Sequence, residues 1–215
     1  MAKVINQKAA AAMVKDGMTV MIGGFLAVGT PETLVDALVA QGTKNLTVIA
    51  NDTGTPEKGI GKLVVNKQLK KAIVSHIGTN PETGRQMNAG ETVVDLVPQG
   101  SLAEKIRAGG AGLGGVLTPT GLGTLVAEGK QTVVVDGREF LLEKPLRADV
   151  AFLKAHTADK AGNLIFNRSA RNFNPLMGTA ADIVIVEATN IVETGALDPD
   201  AVMLPGIFVQ YLVQG

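Results

Sequence analysis

The 215-residue chain has no cysteine and no tryptophan, and only 3% of its residues are aromatic. The absence of thiols excludes disulfides, thiolate metal ligands and cysteine nucleophiles, and it is typical of proteins from a reducing compartment. Hydrophobic residues nevertheless make up 46% of the chain and charged residues 19%, which is a globular composition. The core must therefore be built from aliphatic side chains and methionine.

An excess of charge of one sign is also missing, since Lys+Arg and Asp+Glu both total 20. A nucleic-acid-binding protein normally carries a basic stripe. The short lysine-containing run at 67–71 is better explained as a solvated face. We therefore expect no nucleic-acid partner.

Long apolar runs are missing as well. The run at 9–14 is flanked by Lys8 and Lys15, and it is too short for a signal peptide or a membrane span. We therefore expect no membrane association and a cytoplasmic location.

Several familiar catalytic patterns do not occur. The two histidines, His76 and His156, are far apart and lie outside any H-E-x-x-H pattern, so a catalytic zinc is not expected. Neither a G-x-S-x-G elbow nor a P-loop is present, which argues against a serine hydrolase and against ATP use. Residue types alone reveal no convincing nucleophile, and we expect no metal and no tightly bound cofactor.

Short continuous apolar runs alternate with helical stretches along most of the chain. Such runs are typical of strands that are covered on both faces, as in a parallel sheet. Strands are predicted at 19–22, 46–50, 72–74, 93–97, 150–153 and 183–186. Helices are predicted at 5–14, from Pro31 to just before Gly42 with Thr30 as N-cap, and from a capping box at Ser101–Glu104 to Gly109–Gly110.

One segment departs from this pattern. The runs 132–135 and 139–142 flank Asp136-Gly137, a dipeptide that favours a tight hairpin turn. We therefore predict an α/β fold in which residues 1–215 form a single domain. It has one open, mainly parallel sheet, helices on both faces and a β-hairpin appendage.

A glycine-rich segment, residues 23–29, lies between the first predicted apolar strand and the helix that begins at Pro31. It consists of Gly23, Gly24, Phe25, Leu26, Ala27, Val28 and Gly29. In open α/β sheets ligands bind beyond the carboxyl ends of strands, glycines let the backbone approach a ligand, and a helix N-terminus favours anions. The 23–29 segment is thus a candidate binding loop, with an ordinary glycine turn as the alternative.

A second glycine cluster, at 110–115, matches G-x-G-x-x-G. A dinucleotide-binding loop needs a strand before it and a helix after it. Here a predicted helix precedes the cluster, and Pro119 disfavours a helix immediately after it. We therefore reject NAD binding and predict a long flexible loop, 109–123, beside a site.

Gln99 follows the predicted strand 93–97 at its carboxyl end. A neutral amide there can stabilise negative charge that develops on an oxygen atom. The alternative is a solvated loop glutamine. Other polar segments, at 51–53, 76–85 and 171–175, contain residues that are also common in turns.

The segment 16–25, continuing to Gly29-Thr30-Pro31, resembles the signature of family I (3-oxoacid) CoA-transferases, in particular the α (A) subunits of acetate and butyrate–acetoacetate CoA-transferases. Similar motifs follow in the same order along nearly the whole chain, at 51–53, 75–85, 97–100, 107–123 and 169–175.

The resemblance implies an enzyme subunit that takes coenzyme A as a substrate. In such enzymes a glutamate attacks an acyl-CoA thioester and becomes a glutamyl-CoA thioester, and in two-subunit forms that glutamate belongs to the β subunit. The resemblance further implies that 23–29 is the CoA-binding segment, that Gln99 donates to the oxyanion, and that the assembly is an α2β2 heterotetramer.

Two other classes stay open at this point. One is a binding or regulatory module for an acyl-CoA or a sugar phosphate on the same fold. The other is a sugar-phosphate isomerase or deaminase, which would need an acid/base pair that we cannot locate in the sequence. Fold alone does not choose among them.

Overall fold

The computed structural model describes residues 2–215, which form six α-helices, twelve β-strands and four short 3₁₀ helices. The helices are α1 (Gln7–Ala11), α2 (Glu32–Gln41), α3 (Gly61–Val65), α4 (Pro81–Asn88), α5 (Gln99–Gly110) and α6 (Asn174–Thr179). The strands are β1 (Lys3–Val4), β2 (Thr19–Ile22), β3 (Leu46–Ile49), β4 (Leu69–Val74), β5 (Val93–Leu96), β6 (Val116–Thr118), β7 (Thr132–Val135), β8 (Arg138–Glu143), β9 (Ala148–Asp159), β10 (Leu164–Ile165), β11 (Ala181–Val192) and β12 (Tyr211–Gln214).

The large sheet has nine strands in the order β1-β12-β11-β9-β2-β3-β4-β5, with β10 paired antiparallel to β9. All other pairs in this sheet are parallel. From β2 the chain moves through β3 and β4 to one edge, whereas from β9 it moves through β11 and β12 towards the other edge. The order of the strands therefore reverses between β2 and β9, and ligands of open α/β sheets bind at such a switch point.

Two hydrophobic cores cover opposite faces of this sheet. Successive residues of a strand point to opposite faces, and Val20 and Ile22 of β2 join one core while Met21 joins the other. The first core is covered by α1, α2 and α3, and the second by α5 and α6. The predicted α/β class, the mainly parallel sheet and the helices on both faces are confirmed.

The predicted hairpin is also confirmed. Strands β7 and β8 pair through a tight turn in which Asp136 and Gly137 both have positive φ, +48° and +74°. The hairpin is joined by β6, which makes a separate three-stranded antiparallel sheet, β6-β8-β7. The predicted loop 109–123 is therefore wrong in part, because it contains a strand.

A buried ion cluster attaches this small sheet to the rest of the molecule. Glu143, at the end of β8, is fully buried, and its carboxylate pairs with Lys105 of α5 at 3.0 Å and with Lys130. Burial opposes ionisation of Glu143, but the hydrogen bonds from Lys130 and Lys105 outweigh it and lower the pKa of its carboxyl. We call these three residues the Glu143 clamp.

Several helix boundaries differ from the prediction. Helix α5 begins at Gln99, so Ser101 lies inside the helix instead of capping it. Pro98 precedes the helix, and its carbonyl oxygen accepts the bond from Leu102 N at 2.9 Å. The first helix covers only Gln7–Ala11, because Asn6 caps it by accepting a hydrogen bond from Ala9 N at 2.8 Å.

The ends of α2 give one confirmation and one correction. Gly42 follows the helix with φ +76°, as its position predicts. Thr30 does not cap the helix; α2 begins after Pro31, and no residue next to it in sequence supplies a side-chain cap. The predicted burial of 93–97 is wrong for β5 itself, an edge strand whose Val93 is 56% exposed, and is confirmed at Val97 just after it, which is buried.

Candidate functional site

A cavity of about 340 Å³ opens at the carboxyl ends of β2, β3 and β4 and at the start of α5. Its walls come from the segments that follow these strands and from the first residue of α5: Phe25, Leu26, Asn51, Asp52, Ser75, His76 and Gln99. The sheet topology thus brings together residues that are up to 74 positions apart in sequence (25 to 99). We call this space the site cavity.

The 23–29 segment forms a miniature hairpin over the cavity. Phe25 and Val28 exchange backbone hydrogen bonds of 3.0 and 2.9 Å, and the two residues between them, Leu26 and Ala27, have φ of +46° and +68°. Left-handed backbone is costly for residues other than glycine. The Asp52 carboxylate holds this turn by accepting a hydrogen bond from Leu26 N at 2.9 Å.

The glycines of the segment make room for the protein's own residues. A β-carbon at Gly23 would lie 1.9 Å from Asn174 Oδ1, and one at Gly29 would lie 2.6 Å from the carbonyl oxygen of Ala170. From the sequence, these glycines were interpreted as letting a ligand approach the backbone. The structure offers another explanation, which is that they leave room for Asn174 and Ala170. The side chains that the segment turns towards solvent are Phe25, Leu26 and Val28, which are 43–49% exposed.

Two asparagines stabilise this hairpin, one just before α6 and one at its first position. Asn172 accepts from Gly24 N at 3.2 Å and donates to Val28 O at 3.0 Å. The fully buried Asn174 donates to Gly29 O at 3.0 Å and accepts from Lys154 N of β9 at 3.0 Å. The polar segment 171–175 thus supports the hairpin and does not line the cavity.

The N-terminus of α2 is occupied by a side chain from the far half of the chain. Glu187 of β11 accepts from Thr33 N at 2.9 Å, from Thr33 Oγ1 at 2.7 Å and from Leu34 N at 3.2 Å. The remaining first-turn amide, Glu32 N, donates to Thr30 O. The expectation that this helix end is free to bind anionic ligand groups is therefore wrong, because an internal carboxylate already uses its donors.

Gln99 lies at the first position of α5, with its side chain at the site cavity. Its Nε2 donates to Asn51 Oδ1 at 2.7 Å. Asn51 in turn donates from Nδ2 to Asp52 Oδ2 at 2.7 Å. The structure thus joins Gln99 to the 23–29 segment through Asn51 and Asp52, two residues for which the sequence predicted no role.

The second glycine cluster lies elsewhere. A neighbouring cavity of about 550 Å³ is bounded by α5 and by the segment around β6, and its lining includes Leu113, Gly115 and Arg107. None of residues 109–123 lines the site cavity itself. The cluster follows a helix and precedes a strand, which bears out the rejection of a dinucleotide-binding loop.

The chemistry of the site cavity is mainly that of neutral groups. Its lining includes one carboxylate, Asp52, which accepts from Leu26 N, Gly54 N and Asn51 Nδ2 and is 6% exposed. No glutamate from residues 2–215 lines the cavity. Across the same residues no group of three His, Asp or Glu side chains is placed to hold a metal ion. The arrangement can bind and polarise a carbonyl oxygen, but it presents no side chain that is free to act as a carboxylate nucleophile.

As to membranes, the part of the chain that the structure covers, 2–215, contains no helix with the length and apolar character needed to cross a bilayer.

Comparison with known proteins gives a consistent result. A family model described as coenzyme A transferase matches residues 4–215. The chain is 56% identical to "Acetate CoA-transferase subunit alpha" of Escherichia coli (strain K12), over 98% of this chain and 96% of that protein. It is 52% identical to "Acetoacetyl-CoA:acetate/butyrate CoA transferase alpha subunit" of Clostridium acetobutylicum, over 99% and 97%.

Solved structures show the same fold. An acyl-CoA transferase from Escherichia coli O157:H7, described as a thioester complex with CoA, superposes with a TM-score of 0.90 at 23% identity, and this chain spans about half of its length (47%). Glutaconate coenzyme A-transferase from Acidaminococcus fermentans gives a TM-score of 0.86 at 20% identity, over 100% of this chain and 76% of that one.

Proposed function

Because this chain belongs to the coenzyme A transferase family, we propose that it is the α subunit of a two-subunit enzyme that moves CoA from an acyl-CoA to a short-chain carboxylate. Acetate, butyrate and acetoacetate are the substrates that we propose, since relatives named after these acids match 98–99% of the chain. We place the enzyme in the cytoplasm.

The proposed reaction has two symmetrical halves. A glutamate carboxylate of the β subunit attacks the thioester carbonyl and expels the CoA thiolate, which leaves an acyl–glutamyl anhydride. The thiolate then attacks the glutamyl carbonyl of the anhydride, so that glutamyl-CoA forms and the first carboxylate leaves. A second carboxylate reverses these steps, and ping-pong kinetics follow.

The observation that carries this proposal is the composition of the site cavity. It offers an amide donor at Gln99 and no glutamate among its lining residues in 2–215. Its one carboxylate, Asp52, already accepts three hydrogen bonds. A site with an amide donor and no nucleophile is expected if a partner subunit supplies the nucleophile.

Gln99 is the residue that we propose as donor to the oxyanion. A side-chain amide carries two N–H groups, and one of them is used by Asn51. The other remains for the thioester oxygen, on which negative charge develops during attack. A neutral donor stabilises that charge without forming an ion pair with the attacking glutamate.

We propose that the 23–29 segment binds CoA, with the contacts divided within it. Phe25, Leu26 and Val28 present apolar surface suited to the aliphatic parts of CoA. Most backbone amides of the segment donate within the protein; of the described residues here, only Ala27 N and Gly29 N lack an acceptor. The glycines then serve the shape of the segment, and Ala27 N is a donor available to the ligand.

We also propose that the partner is a β subunit and that the assembly is an α2β2 heterotetramer. The relatives named above are described as alpha subunits. Large apolar side chains are exposed at several places, among them Leu125 at 82% and Ile207 at 84%. Contiguous exposed apolar surface marks interaction sites, and we propose that some of these side chains lie at the interface with the partner. No metal or organic cofactor enters the proposal.

The test is to purify the chain alone and together with candidate β subunits, and to measure CoA exchange between acetyl-CoA or butyryl-CoA and acetoacetate. We expect activity only in the complex, unchanged by EDTA. Rapid quenching and mass spectrometry should find the CoA adduct on a glutamate of the partner. An adduct on a glutamate of this chain would contradict the proposal, and acyl-CoA binding without exchange would favour a regulatory module.

A further inference from the structure

We propose that Asn51 is a positioning residue that fixes the orientation of the Gln99 amide and links it to the 23–29 segment. The inference rests on the proposed role of Gln99 and adds a residue to it. Neither the family match nor the names of the relatives assign Asn51 a role.

The geometry is a continuous chain of hydrogen bonds. Gln99 Nε2 donates to Asn51 Oδ1 at 2.7 Å, Asn51 Nδ2 donates to Asp52 Oδ2 at 2.7 Å, and Leu26 N donates to the same Asp52 oxygen at 2.9 Å. Asn51 is 2% exposed. Burial strengthens such bonds and makes their loss costly, because water cannot replace the missing partner.

The direction of each bond follows from the end of the chain at Asp52. This carboxylate receives the backbone N–H groups of Leu26 and Gly54, so it acts as an acceptor. Asn51 must therefore turn its NH₂ towards Asp52 and its oxygen towards Gln99. Ser75 Oγ lies 3.0 Å from Asn51 Oδ1, but the backbone carbonyl oxygen of Asn51 is the closer acceptor for its single proton, at 2.7 Å, so the orientation of the Asn51 amide follows from Asp52.

The orientation of the Asn51 amide determines whether Gln99 presents its nitrogen or its oxygen to the substrate. Because Asn51 offers an oxygen, Gln99 must offer its Nε2, and the second N–H of that nitrogen stays available to the cavity. Without Asn51 the amide can rotate by half a turn and present its oxygen instead, which repels a developing oxyanion. Asn51 then acts through Gln99 and does not itself touch the substrate.

The experiment is a double-mutant cycle in the assembled α–β enzyme, with Asn51→Ala, Gln99→Ala and both changes together. We expect Asn51→Ala to lower kcat by ten-fold or more with KM changed by less than about three-fold, since substrate binding precedes the charge development. In the Gln99→Ala background, Asn51→Ala should cost two-fold or less. If Asn51 were needed only for folding, the losses in kcat of the two single variants would instead multiply in the double variant.

The outcomes separate the inference from the function on which it rests. If Gln99→Ala alone keeps near-wild-type kcat, the proposed oxyanion role of Gln99 fails. If Gln99→Ala is impaired but the two losses multiply, or if Asn51→Ala is fully active, only the role of Asn51 is overturned. Asn190→Ala, a change of the same type at an exposed asparagine, is the control and should leave kcat unchanged.

A second variant covers the case in which Asn51→Ala does not assemble. Asn51→Asp keeps the acceptor for Gln99, and it regains a donor only when the new carboxyl is protonated. Asp52 and His76 are the titratable side chains that line the same cavity, and both are present in the wild type and in the variant. The kcat of Asn51→Asp relative to wild type should therefore rise as the pH falls; a ratio that is flat with pH would overturn the inference.

Discussion

The Glu143 clamp and the site cavity both involve α5, yet they bury polar groups in different ways. In the clamp, one carboxylate meets two ammonium groups, so the buried charges are paired. At the site cavity, the polar groups of Gln99 and Asn51 are amides joined in a directed chain, and Gln99 keeps an unused N–H at the open end.

The clamp attaches the small sheet to the rest of the molecule, whereas the site cavity presents a donor that can act on a ligand. In the clamp, removing Glu143 leaves two ammonium groups without their carboxylate, whereas removing either lysine leaves Glu143 with one partner. A chain of neutral amides contributes less to the stability of the fold than the ion cluster does, but it presents an N–H donor in a fixed direction. The clamp should therefore control stability and the cavity should control turnover, and each of the following changes tests that division.

The largest effect on stability is expected from Glu143→Ala. It leaves the Lys105 and Lys130 ammonium groups without their partner. Breaking a fully buried pair costs about 3–5 kcal/mol of unfolding free energy, and this is the upper limit here because the two lysine side chains are 13% and 26% exposed. Urea denaturation followed by circular dichroism measures it. Glu139→Ala, at an exposed position of the same strand, is the matched control and should change stability little. A loss below about 1 kcal/mol at Glu143 would show that the clamp does not hold the small sheet.

The next change, Gln99→Ala, should act on turnover and spare stability. Loss of an oxyanion donor removes transition-state stabilisation, and we expect kcat of the assembled enzyme to fall by ten-fold or more. The steady-state rate of CoA exchange measures it, with size-exclusion chromatography to establish that the complex forms. Gln131→Ala, at an exposed glutamine, should be fully active. Unchanged activity in Gln99→Ala would contradict the prediction that the site cavity controls turnover.

A smaller effect is expected from Gly23→Ala, which tests whether the glycines serve packing. The new methyl group would lie 1.9 Å from Asn174 Oδ1, so the hairpin or α6 must shift, and overpacking of this kind costs about 1–3 kcal/mol. Thermal unfolding of the α chain measures it. Gly84→Ala, in the middle of α4 with no atom within 4 Å of the new carbon, should instead stabilise by about 0.5–1 kcal/mol. Equal effects at both positions would contradict the packing argument.

The smallest effect is expected from Arg85→Met in the exposed cluster of Glu82, Arg85 and Glu91. Hydrogen bonds from Arg85 lower the pKa of Glu82 and of Glu91 to about 2. A carboxyl with a lowered pKa stabilises the fold above its ordinary value of 4.5, and this contribution is lost as the pH falls towards 2. Because the cluster is solvated, the shift in melting temperature should be far smaller than for Glu143→Ala and should shrink with added salt. A shift as large as that of Glu143→Ala would remove the distinction between buried and exposed pairs.

Local patterns predicted the parts of the fold that depend on local interactions. The strand 19–22, the Asp136-Gly137 turn and Gly42 after α2 are found where the sequence places them, because backbone conformation and apolar runs determine each of them. The cap predicted at Ser101 is wrong because α5 begins earlier, at Gln99. The cap predicted at Thr30 is wrong because it assumes that the capping side chain is a neighbour in sequence. Glu187 supplies the cap of α2 from 154 positions away, and no local pattern contains that information.

Part of the geometry of the candidate site follows from the sequence. Gln99 and two residues of the 23–29 segment, Phe25 and Leu26, line one cavity, as expected of strand ends that meet at one edge of a parallel sheet, and their roles stay predictions. The link between them through Asn51 was not predicted, because it depends on β3 lying between β2 and β4 in the sheet. By residue type Asn51 and Asp52 are ordinary turn residues, and the family resemblance at 51–53 predicted no role for them; their burial and their hydrogen bonds are visible only in the structure.

The supports of the 23–29 hairpin have a consequence for biosynthesis. Residues near the start of the polypeptide depend on Asn172, Asn174 and Glu187, which leave the ribosome long after them. A nascent chain that ends before α6 has made β2 and α2, but it lacks the Glu187 cap of α2 and the hydrogen bond from Asn174 to the hairpin. The CoA binding that we propose for the 23–29 segment should therefore appear late in translation, and truncated products should not compete for CoA.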